Sequence, residues 1–164
     1  MHTAFNNLPD TARLWIYQSS RPLTDAEVAS LEAELQPAVN NWAAHGTPLL
    51  ASAAVLHHRF ILIAVDEQHH PPSGCSIDAS VRWVRELGLA LQTDFFDRSV
   101  AFVSADGVVH TLPLPQIKAA VADCQLTPET PIFNNLIATK GELVNWQVRA
   151  GDSWLKRYFK TQTV

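Results

Sequence analysis

Leu49-Leu50-Ala51-Ser52-Ala53-Ala54-Val55-Leu56-His57-His58-Arg59-Phe60-Ile61-Leu62-Ile63-Ala64-Val65-Asp66 is the stretch on which the reading of this chain turns. Two apolar runs, the second rich in β-branched residues, flank the polar triplet His57-His58-Arg59. Each run has strand length, so the stretch reads as two strands, about 49–56 and 60–66, joined by a short connection. Neither half is long enough to cross a bilayer as a helix, and no membrane insertion is expected.

Upstream, Arg13-Leu14-Trp15-Ile16-Tyr17-Gln18 reads as another strand. Arg21-Pro22 turns the chain, and Thr24 with Glu27 has the spacing of a capping box. Val28, Leu31, Leu35 and Trp42 then recur at helical spacing, with Pro37 expected to kink the helix or end its first part near Gln36. Downstream, Pro71-Pro72-Ser73-Gly74 breaks the chain before a second helix expected from Ser76. Ile77, Val81, Val84, Leu87 and Leu91 form its apolar face, while Arg82, Arg85 and Glu86 lie opposite. Asp106-Gly107 marks a hairpin between Ser99–Ala105 and Val108–Leu112. A short helix follows from Leu114 or Pro115 to about Asp123.

The resulting order, β-α-β-β-α-β-β-α, predicts an α+β fold with an antiparallel sheet and both helices on one face. Its first six elements match the split-βαβ, ferredoxin-like pattern, with an extra hairpin strand extending the sheet. The C-terminal segment is expected to be extended around Pro128 to Phe133 and helical after Thr139, where Glu142 completes a second possible capping box. Trp154, Leu155, Tyr158 and Phe159 share one helical face, which either docks on the domain or offers an aromatic anchor to a partner. Residues 1–164 read as a single domain.

Composition narrows the function classes. Hydrophobic residues make up 47% and charged residues 17%, which excludes a disordered chain and permits a core without disulfide or metal staples. The net charge of −4 supplies no global field for nucleic acid, so no nucleic-acid partner is expected. The only two cysteines, Cys75 and Cys124, form no CxxC pair, and the first residues lack a signal-peptide pattern. These features predict a cytoplasmic protein with reduced thiols. No glycine precedes a lysine, which removes the Walker A loop, and GxGxxG, GxSxG and HExxH are also absent. No cofactor is expected.

The segment His69-His70-Pro71-Pro72-Ser73-Gly74-Cys75-Ser76-Ile77-Asp78 carries the candidate chemistry. A turn leads into a helix start, where unpaired N–H groups and the helix dipole favour anions. Ser73, Gly74, Cys75 and Ser76 are therefore candidate ligand-binding residues. A cysteine at such a place can be activated, with His69 or His70 as base, so Cys75, His69 and His70 are catalytic candidates. Asp78 opposes the thiolate. The structural alternative makes Ser76 the N-cap and Cys75 a small buried hydrophobe. His57, His58, His69 and His70 are weak metal candidates, because none shows a recognised ligand spacing. Asp97 and Arg98 either bind a polar ligand or form a local surface ion pair.

Arg13–Gln18, Ser73–Asp78, Phe96-Asp97-Arg98, Phe133-Asn134-Asn135-Leu136 and Asp152-Ser153-Trp154 together resemble a family of small Bacteroidetes proteins. Some members carry the label "ABC transporter ATPase". The label implies ATP hydrolysis in membrane transport, whereas the Walker A loop and the LSGGQ-type signature are missing here. The resemblance implies source and compartment and assigns no catalytic residue. The chain is expected to be a non-enzymatic binding or accessory domain for a small anionic ligand or a protein partner at the Ser73–Asp78 turn. A Cys75 thiol enzyme or redox protein and a homo-oligomeric scaffold are the alternatives.

Overall fold

The computed structural model describes residues 1–159 and has an α+β fold. The chain forms two compact units, Met1–Asp97 with Leu136–Leu143, and Arg98–Asn135 with the described residues from Val144 onward.

In the first unit, β1 (Arg13–Gln18), α1 (Asp25–Asn40), β2 (Ala43–Ala44), β3 (Thr47–Pro48), β4 (Ala51–Leu56), β5 (Phe60–Val65) and α2 (Gly74–Leu91) follow in order. Strands β1, β5 and β4 make an antiparallel three-stranded sheet with β5 central. Every residue of β5 is buried, which is why Phe60-Ile61-Leu62-Ile63-Ala64-Val65 is apolar on both faces instead of alternating. The β4–β5 turn is left-handed at His57 (φ 57°) and His58 (φ 52°), and the Arg59 N–H donates to the Leu56 carbonyl at 3.1 Å. Histidine is among the side chains that tolerate this region best.

Tyr17, Val55, Ile61, Ile63 and Val65 point to one face, where Leu31, Leu35 and Val39 of α1 and Val84 of α2 complete the core. Both long helices thus cover the same face of the sheet. The Thr24–Glu27 capping box forms as expected. Helix α1 continues through Pro37 to Asn40, past the break expected at Gln36. Proline removes one hydrogen bond there, but only one turn remains, Val39 is fully buried, and the Asn41 N–H and side-chain amide both donate to the Pro37 carbonyl. Trp42 lies beyond the helix end and packs edge-on between Trp15 and Trp83. Strands β2 and β3 form a small hairpin that the apolar pattern does not announce, with His45 and Gly46 at positive φ.

The second unit contains β6 (Val100–Val103), β7 (Val109–Leu112), α3 (Ile117–Ala122), β8 (Pro131–Phe133) and β9 (Gln147–Arg149). Its sheet runs β7-β6-β8-β9, antiparallel throughout. Ile117, Ala120 and Val121 of α3 pack with Phe102, Ile132 and Leu155.

The ferredoxin-like expectation therefore needs correction. The three-stranded sheet has the split-βαβ arrangement, β5 lying between β1 and β4, but β6 does not add a fourth strand. It pairs instead with β7 and β8. The outer edge of β1 is taken by short segments. The Leu14 N–H donates to Ala138, the Lys140 N–H donates to Ala12, and the Asp97 N–H donates to Gln18.

Thr139 and Glu142 form no capping box, because the Thr139 hydroxyl donates to the Glu142 carboxylate, and Lys140–Asn145 is a 3₁₀ turn. Trp154–Tyr158 is also 3₁₀, so residues three apart align and the expected aromatic face divides. Leu155 is fully buried, Tyr158 and Phe159 pack beside it, and Trp154 stays half exposed with the Arg157 guanidinium over its ring. No helix among the described residues is long and apolar enough to cross a membrane.

Candidate functional site

The start of α2 lies two residues before the expected Ser76. Ser73, not Ser76, is the N-cap, in extended conformation, and the helix begins at Gly74. The Ser76 N–H donates to Ser73 Oγ at 3.1 Å, and the Ser73 N–H donates to Ser76 Oγ at 3.2 Å. Serine at the third helical position thus plays the part usually taken by glutamate or glutamine. The Ser76 hydroxyl donates to the Ala43 carbonyl at 2.8 Å, so the Ser73 hydroxyl must donate to Ser76 Oγ across their 2.7 Å contact. Both hydroxyls are consumed in fixing the helix to β2. The N–H groups of Gly74 and Cys75 have no acceptor among the described residues, and both residues are exposed.

Cys75 is exposed, which overturns its reading as a small buried hydrophobe. Its thiol makes no hydrogen bond to His69 or His70 among the described residues. The His70 ring is directed instead at its neighbour's backbone, Nδ1–H donating to the Pro71 carbonyl at 2.8 Å. His69 is exposed, and Asp78 lies one turn into the helix, also exposed. The turn can receive an anion on two backbone N–H groups. It assembles no nucleophile–base pair.

The other candidates separate in space. His57 packs its ring against Phe60, and partial burial lowers its pKa. His58 Nε2 lies 2.6 Å from Asp25 at the start of α1. No group of three or more potential metal ligands gathers among the described residues. Asp97 accepts from Gln18 Nε2 at 3.2 Å, while Arg98 is exposed and forms no ion pair among the described residues.

Beside Asp97 lies a residue that sequence reasoning passed over. Arg59 is only 4% exposed, and burial lowers its pKa while the charge of Asp97 works to raise it. Gln18, Arg59 and Asp97 form a polar cluster at the end of the three-stranded sheet, extended by the Ser19–Thr93 hydroxyl contact at 2.8 Å. A buried arginine in a turn triplet carries no sequence signal, since its polarity predicts exposure.

In the second unit, His110, Ser104 and Cys124 line one open depression of about 530 Å³. Ser104 Oγ is 3.1 Å from His110 Nε2, and its hydroxyl also engages Asp106 and the Val108 carbonyl within the hairpin turn. Cys124 is exposed and adopts φ 57° at the end of α3. The Trp146 indole N–H donates to Asn135 Oδ1 at 2.9 Å.

Comparison with family models, curated proteins and solved structures finds no match to this chain.

Proposed function

We propose that the chain is a non-enzymatic binding or accessory protein whose contact surface includes the start of α2. The ligand class is a small anion, a carboxylate or a phosphate, free or displayed by a protein partner. One observation carries the reading. At an exposed helix start, the cap consumes both serine hydroxyls while the Gly74 and Cys75 N–H groups face solvent. Asp78, one turn further into the helix, limits affinity, so the free anion binds weakly. A cytoplasmic location belongs to the same proposal and fits two exposed, unpaired thiols. ATP hydrolysis does not, because no loop of the Walker type is present.

The exposure of Cys75 favours a second reading, thiol chemistry with His69 or His70 recruited as base. Alkylation by iodoacetamide separates the two, with exposed Cys124 as internal reference. Binding without catalysis predicts similar rates at both thiols and slowing at Cys75 alone when phosphate is added. Modification of Cys75 far ahead of Cys124 well below pH 8 would transfer the argument to thiol chemistry.

A further inference from the structure

Helices α1 and α2 lie on one face of their sheet but leave a groove of about 360 Å³ between them. Leu31 and Leu35 form its floor, and Trp83 and Leu87 contribute to its apolar wall. Glu34 on α1 and Glu86 on α2 are exposed at it, so each helix contributes a carboxylate. No lysine or arginine lines the groove, and neither glutamate has an ion-pair partner among the described residues. Helix α1 carries Asp25, Glu27, Glu32 and Glu34 and no basic residue.

We infer that this groove docks a short amphipathic segment of a protein partner, its apolar side chains against Leu31, Leu35 and Trp83 and basic side chains at Glu34 and Glu86. The apolar floor requires an apolar stripe on the occupant. Two unneutralised carboxylates on opposite helices select lysine or arginine beside that stripe. An amphipathic helix presents both at three- and four-residue spacing. An acidic segment would meet repulsion from both sides, and a purely basic one would leave the leucines uncovered. This inference is independent of the reading at the start of α2.

The test uses the full chain and a fluorescein-labelled Leu/Lys peptide, roughly four helical turns long and amphipathic. A Leu/Glu peptide of the same pattern and a Ser/Lys peptide without an apolar face serve as comparisons. Saturable anisotropy is expected with Leu/Lys alone. Glu34→Lys/Glu86→Lys should weaken it about tenfold or more. Glu32→Lys/Asp123→Lys, with the same change in net charge but outside the groove, should leave it unchanged; circular dichroism checks that both variants fold. Equal loss in the two variants, or loss in neither, overturns the inference. So does concentration-dependent dimerisation abolished by the groove variant, which would make the occupant a second copy of the chain.

Discussion

The indole N–H of Trp42 donates to the carbonyl oxygen of Ser76 across 2.8 Å, with both residues buried. Ser76 in turn donates its hydroxyl to Ala43 at 2.8 Å. The first turn of α2 is therefore tied twice to the segment that follows α1. These bonds orient the helix start at which Gly74 and Cys75 present their N–H groups.

Trp42→Phe keeps most of the ring packing and removes one donor. It should lower unfolding free energy by about 1 kcal/mol, whereas Trp42→Ala should cost about 3–5 kcal/mol. Urea unfolding followed by circular dichroism checks both. Equal losses would mean that packing carries none of the effect.

Ser73→Ala removes the N-cap acceptor and should cost about 1 kcal/mol. Ser76→Ala should cost more, because it also leaves the Ala43 carbonyl without its hydroxyl donor. The reverse order in denaturant midpoints would show that the Ser76–Ala43 bond adds nothing beyond the cap.

Two glycines of α2 predict opposite behaviour. A Cβ at Gly88 would lie 2.8 Å from the Thr93 carbonyl oxygen and 3.4 Å from Phe95 Cδ2. Gly88→Ala should therefore destabilise by about 1–3 kcal/mol despite alanine's helix propensity. Gly74 has nothing within 4 Å of such a Cβ, and Gly74→Ala should stay within about 0.5 kcal/mol of the parent. Thermal melts of the pair decide this.

Glu27 receives both terminal guanidinium nitrogens of Arg21, at 2.9 and 2.6 Å, and also the Thr24 N–H. The Arg21 contact, then the Thr24 bond, depress its pKa from an ordinary 4.5 to about 2. A depressed folded-state pKa means that the stabilisation is present above pH 4.5 and is lost as pH falls towards 2. Glu27→Gln should flatten the acid limb of stability in that window. An unchanged acid limb would show that the pair does not contribute.

Much of this was legible in the residues themselves. The apolar runs around His57-His58-Arg59, the Thr24–Glu27 spacing and Asp106-Gly107 are local signals, and each produces the expected element. Long-range partner choice was not legible. Nothing in Val100–Val103 says that it pairs with Ile132 rather than β1, because register depends on chain that follows thirty residues later. Ser73 carries no familiar cap signature, because Ser76, in the position of the usual glutamate, reciprocates through a hydroxyl. The exposure of Cys75 and the burial of Arg59 run against type preferences, so only tertiary packing reveals them. The groove between α1 and α2 arises from helices far apart in sequence.

Anion binding at the start of α2 would register at its first backbone amides. The decisive measurement is a phosphate titration of the ¹⁵N-labelled chain at constant ionic strength, followed by amide chemical shifts. Saturable shifts centred on Gly74 and Cys75, reduced in Ser73→Ala, are expected. Absent shifts at these two amides, or small shifts spread evenly over the chain, would contradict such binding.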